Sequence, residues 1–89
     1  MKEDEIELEL LLALRDMARR QADTAEILHL ELGDLAKRLG TSEVEVRIVL
    51  KDLLLEGLAE PFANTLTDQP EDGHCRITQH GMAEIRRRR

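Results

Sequence analysis

Side chains able to do chemistry are sparse in this chain, and their spacing narrows what they could do. Cys75 is the single cysteine, with His74 beside it, His80 a few residues on and His29 far upstream. Gathered at one end of a sheet they would offer nitrogen and thiolate ligands. No C-x-x-C or H-x-x-x-H spacing accompanies them, however, and the default for a lone cysteine is a small buried hydrophobe. No glycine-rich phosphate loop occurs, and the cysteine has no partner constellation of base and orienting acid. The sequence is therefore read as a non-enzyme with no catalytic residue, no metal ligand and no cofactor. A redox or metal sensor acting through Cys75 stands third among the functional alternatives.

The second reactive set is cationic. Arg47 and Lys51 stand one helical turn apart, Arg76 follows Cys75, and Arg86, Arg87, Arg88 and Arg89 form a basic run. Such side chains bind phosphate, and an arginine or lysine can also read a guanine edge. They are set in an acidic chain of formal charge −6, with 13 Lys and Arg against 19 Asp and Glu. Residues 1–34 carry a net charge of −6 (4 basic, 10 acidic) and residues 76–89 a net charge of +4 (5 basic, 1 acidic). The total excludes a basic grip spread over the whole surface, so any nucleic-acid contact must be local. No stretch is apolar enough to span a membrane, and the acidic start Met1-Lys2-Glu3-Asp4-Glu5 is the reverse of a secretory leader. A cytoplasmic protein is expected, without membrane association, and the lone cysteine suits a reducing compartment.

These groups need elements to hold them. At 89 residues the chain makes one domain, 1–89, with a 42% apolar content that is almost wholly aliphatic, Phe62 being the one aromatic residue. Ile6, Leu10, Leu14 and Met17 predict a helix over 1–20, with acids in its first turn and arginines in its last. Leu8, Leu11 and Leu12 widen its apolar stripe, which implies burial on two sides. Residues 27–32 predict a short strand. Residues 33–57 predict two helices joined by a turn: Leu35, Ala36 and Leu39 face inward, Gly40 ends the first helix, and Ser42 with Glu45 forms a capping box for the second. Val46, Leu50 and Leu53 supply the inward stripe of that third helix. Residues 58–78 predict a hairpin, with Pro61 at an edge and turn-forming residues from Thr67 to Gly73. Residues 79–89 form a terminal helix and basic tail, its end weakened by the run of arginines.

The resulting fold class is mainly α with a small β-hairpin, an α+β arrangement. The order helix, short strand, helix, tight turn, helix, hairpin is that of a winged helix-turn-helix domain. The stretch Leu35-Ala36-Lys37-Arg38-Leu39-Gly40-Thr41-Ser42, followed by Val46, Leu50, Leu53, Gly57 and Leu58, resembles the spacing of that family. Ile77-Thr78-Gln79-His80-Gly81 is similar to the L-T-x-x-G exit from the wing in MarR-like and PadR-like prokaryotic regulators. Together the matches cover residues 27–85. The resemblance implies a three-helix core with a wing, a long N-terminal helix and a short C-terminal one. It also implies a small transcriptional regulator that binds double-stranded DNA, acts as a homodimer and puts the third helix in the major groove.

On that implied reading the DNA contacts are Arg47, Lys51, Arg76, Arg86, Arg87, Arg88 and Arg89. The outward face of the third helix also carries Glu43 and Glu45, which phosphates repel, and the wing tip carries Asp68, Glu71 and Asp72. A second apolar stripe of Val44, Ile48 and Leu55 runs along the same face, where relatives carry polar residues. Two explanations stand beside the DNA reading. In one, the long first helix covers the stripe. In the other, the stripe is the interface of a protein-interaction module that does not bind DNA. A homodimer built on the surplus leucines of the first helix is a further possibility, and the arginine run can equally be a solvated tail favoured by the helix dipole.

Overall fold

The computed structural model describes residues 2–61 and 70–88. Among the described residues the chain is mainly helical, with one small two-stranded antiparallel sheet. The helices are α1 (Glu3–Gln21), α2 (Leu32–Leu39), α3 (Glu43–Leu55) and α4 (Gln79–Arg88). The strands are β1 (Ala59–Pro61) and β2 (Cys75–Ile77), with a 3-10 turn at Pro70–Asp72. Among the described residues no helix is long and apolar enough to cross a membrane.

Helix α1 is the organising element. Ile6, Leu10, Leu11 and Leu14 are fully buried and Met17 nearly so. Leu11 lies off the stripe of the other four, so α1 is enclosed from several sides, by α3, α4 and β2. Leu12 packs partly against the same core and Leu8 is half-buried. Of the leucines that could have made a dimer through α1, Leu11 is spent inside the domain, while Leu8 and Leu12 are only partly covered.

The loop after α1 departs from expectation, because residues 27–32 make no strand. Gln21 at the end of α1 reaches over the loop: its Nε2 donates to the Glu26 carbonyl at 2.6 Å, and its Oε1 accepts the Leu28 N–H at 2.8 Å. A side chain thus takes a donor that a ladder would need. One bond of ladder type is made, from Leu30 N–H to the Gly73 carbonyl at 3.1 Å. Leu32 then belongs to α2, one residue earlier than expected.

The turn between α2 and α3 follows the sequence closely. Gly40 takes the left-handed conformation at φ 71°, which costs glycine least. Ser42 accepts the Glu45 N–H at 3.1 Å and caps α3. The reciprocal half of the capping box is absent: the Glu45 carboxylate accepts the Thr41 hydroxyl at 2.8 Å. Ala36, Val46, Leu50 and Leu53 are buried as expected, and Val49 joins them.

The strands pair Ala59 with Ile77, Glu60 with Arg76 and Pro61 with Cys75. The described pairing covers three residues on each strand, and Asp68 and most of the connecting segment lie outside the described residues. Thr78 fastens α4 to the sheet. Its hydroxyl donates to the Gly57 carbonyl at 2.7 Å and accepts the Gly81 N–H at 3.0 Å. The expected weakening of the arginine-rich end does not occur through Arg88, because Glu84 binds Arg87 and Arg88 from the preceding turn.

Candidate binding face on the third helix

Because the inward side of α3 is complete, its outward side is left to interact. Val44 is 66% exposed, Ile48 55% and Leu55 78%. At about 100° per residue these three fall within roughly 40° of one another, along about 16 Å of helix. Lys51, also exposed, falls in the same row. The expectation that α1 covers the stripe is thus overturned: α1 packs against α3, but its buried leucines meet the complete inward row.

One flank of this row is acidic. Glu45, Asp52 and Glu56 succeed each other along it, and Glu3 of α1 adds a fourth carboxylate. Hydrogen bonding to Asp52 raises the Glu3 carboxyl above its ordinary range, with the charge of Asp52 acting in the same direction. Glu56 is raised too, by partial burial first and then by the charges of Glu7 and Asp52. The other flank is balanced. Arg47 donates to Glu43 at 3.4 Å, and its Nη1 lies 2.5 Å from Asp72 Oδ1 in the 3-10 turn. The acid expected at the wing tip therefore bends back onto α3 at Asp72.

Of the seven cations expected to contact DNA, six lie among the described residues, and four of those six are paired with carboxylates. Arg47 is held by two carboxylates. Arg76 is paired across the sheet with Glu60 at 2.7 Å. Arg87 and Arg88 bind Glu84, and Arg88 also pairs with Glu7, a carboxylate left only 7% exposed. These contacts tie α4 to α1. Lys51 and Arg86 are exposed and form no ion pair among the described residues, and Arg89 lies outside them. Two bonds from arginine hold the Glu84 carboxyl down at about 2.

Glu84 with Arg87 and Arg88 was readable as helical neighbours three and four apart. Nothing in the sequence announced Glu7 as the partner of Arg88 or Asp72 as the partner of Arg47, since both pairs are made by tertiary structure.

The histidine and cysteine set does not converge on a ligand. Cys75 is fully buried in the core, and that burial pushes its thiol up to about 12, leaving it protonated at neutral pH. His29 and His74 stack with ring centroids 4.8 Å apart, and His29 lies 2.9 Å from Glu31. His80 is exposed on α4. Among the described residues no three His, Cys, Asp or Glu side chains are grouped to hold a metal ion. A cleft of about 340 Å³ between α1 and α2 is lined by Asp16, Arg20, His29 and Glu31, and these groups are already paired with one another.

Compared with known proteins, the chain matches no family model, no curated protein and no solved structure.

Proposed function

We propose that this chain is a winged-helix module that binds another protein through the outward face of α3. The fold part of the reading is supported by the element order, by the three-residue turn between α2 and α3, and by the antiparallel strands that follow. The observation that carries the functional part is the exposure of Val44, Ile48 and Leu55 in one row on a helix whose core side is already filled. An isolated exposed leucine needs no explanation, but three large apolar groups in line along a helix are the usual form of a helix-mediated contact. A cytoplasmic setting suits the reduced, buried Cys75.

A second reading, a double-stranded DNA-binding transcriptional regulator acting as a homodimer, is favoured by Lys51 and Arg86, two of the expected contact cations, which form no ion pair among the described residues. It is disfavoured by Arg47, which would have to leave both Glu43 and Asp72 to reach a phosphate.

Two measurements decide between them. A photoreactive residue placed at Ile48 should give a discrete protein adduct in extract of the chain's own cells, and the same group at Lys37 should not. Equal labelling at the two positions would remove the interaction reading. Duplex DNA of random sequence should not bind even at about 20 mM salt, where phosphate contacts are strongest. Salt-sensitive binding that disappears in Arg47→Ala/Lys51→Ala would establish the second reading instead.

A further inference from the structure

We infer that the partner segment seated on α3 is a cationic amphipathic helix, its apolar side on Val44, Ile48 and Leu55 and its lysines or arginines over the carboxylate flank. The inference rests on the interaction reading above and adds the chemistry of the occupant. Charge complementarity is what selects it. Among the described residues, Glu3, Glu43, Glu45, Asp52, Glu56 and Asp72 stand around the apolar row, against Arg47 and Lys51, with Arg88 acting on Glu56 from α4.

The acid is unevenly placed. On the Arg47 side the charges are satisfied internally, by Glu43 and Asp72. Along Glu45, Asp52 and Glu56 no carboxylate has a basic side chain in an ion pair among the described residues, and the charge of Asp52 adds to the upward shift of Glu3, behind their hydrogen bond, and to that of Glu56, behind burial. A partner's cations would offset the negative charge there and favour the ionised carboxylates, so binding and charge relief act together.

Lys51 does not obstruct this arrangement. Its alkyl stem extends the apolar row between Ile48 and Leu55, while its ammonium can swing to the solvent edge. A second copy of the chain fits less well. With two α3 helices antiparallel about a twofold axis, the Glu45–Asp52 edge of one meets the same edge of the other, which sets carboxylate against carboxylate.

The test uses the full chain and two synthetic amphipathic peptides of about 20 residues, long enough to span the α3 row. They share one leucine row; the first carries lysine and arginine on its flanks and the second carries glutamate at the same positions. By fluorescence anisotropy the cationic peptide should bind about tenfold or more tightly than its acidic twin. Its affinity should fall as salt rises, and amide shifts should map to α3. Ile48→Glu should abolish binding while the melting temperature is retained, and Val44→Ser/Leu55→Ser should weaken it without introducing charge. Asp52→Lys/Glu56→Lys should reverse the preference between the peptides.

Equal affinity for the two peptides would overturn the charge assignment and leave the docking reading standing. If neither peptide binds and sedimentation shows a dimer that Ile48→Glu dissolves, the occupant is a second copy and the inference fails. If neither binds and the chain stays monomeric, with no adduct formed at Ile48, the inference and the interaction reading fail together.

Discussion

Replacing Gly81 by alanine adds a single methyl group at the join between sheet and α4, and its cost can be worked from the geometry. A Cβ there would lie 2.3 Å from the Leu58 carbonyl oxygen and 2.6 Å from Ile77 Cγ1. The first obstacle is backbone and cannot rotate aside. Restoring the 3.4 Å of ordinary contact requires α4 to retreat by about 1 Å at its first turn. That movement strains the 3.1 Å bond from Thr78 N–H to the same Leu58 carbonyl and draws Ile85 out of its buried seat.

Overpacking of this kind costs about 1–3 kcal/mol and the weakened hydrogen bond about 1 more, against about 0.5–1 regained from the entropy of the unfolded chain. The net is a loss of about 2 kcal/mol, which for a domain of this size lowers the melting temperature by roughly 10 °C. Gly33→Ala is the control. Gly33 lies in α2 without a positive φ, and the nearest obstacle is Glu43 Oε2 at 3.7 Å. The same chemical change should there raise stability by about 0.5 kcal/mol. Thermal melts followed by circular dichroism, with urea titration at fixed temperature, read both variants. A Gly81→Ala chain that melts at or above the wild-type temperature would refute the close approach of α4 to Leu58.

Further perturbations follow from the ion pairs and the core. Arg88→Met removes the partner of the nearly buried Glu7 and should cost about 2 kcal/mol in urea titration, most of it recovered when Glu7→Gln is added. Glu84 is held down at about 2 by Arg87 and Arg88, so its contribution is present above its unfolded value near 4.5 and is lost as pH falls from there toward 2. Glu84→Gln should therefore flatten the acid limb of a stability–pH curve. Glu3 and Glu56 act with the opposite sign, because a raised carboxyl favours folding in its protonated form and loses that advantage as pH rises. Cys75 should resist a thiol reagent in the native chain and react at once in denaturant, and rapid labelling without unfolding would show that it is reachable. Glu43→Gln/Asp72→Asn frees Arg47 and should increase any low-salt duplex affinity, steepening the salt dependence by about 0.9 on a log–log plot.

The parts of this fold legible in the sequence were those set by local chemistry. Ser42 capping α3 and Gly40 turning out of α2 are decisions made within a few residues, and both are realised. The exposed row Val44, Ile48 and Leu55 was also visible, because helical periodicity separates it from the inward row. Whether another element covers it depends on the crossing of α1 over α3, which no spacing encodes. Residues 27–32 misled for a comparable reason: their alternation suits a strand, but the Gln21 side chain claims the Leu28 N–H that a ladder would use. The partners of the cations were the least legible. Read singly, Arg47, Arg76 and Arg88 look available to phosphate, yet Asp72, Glu60 and Glu7 come to them from other elements.

The enclosure of α1 also constrains the order of events as the chain is made. Synthesis makes α1 before the elements that cover it, and its Ile6, Leu10, Leu11 and Leu14 supply an apolar ridge. The elements that cover much of that ridge, β2 and α4, emerge only after residue 75, and the Arg88 that neutralises Glu7 comes near the end of α4. Until β2 and α4 are made, the ridge packs chiefly against α3, and its full cover waits for those later elements. A chain arrested before α4 would hold its helices as a loose pair with leucines open to neighbouring chains, a form suited to chaperone capture or aggregation. The pair between Glu7 and Arg88 spans 81 positions of sequence, so the closing of α4 over α1 is a strongly non-local step.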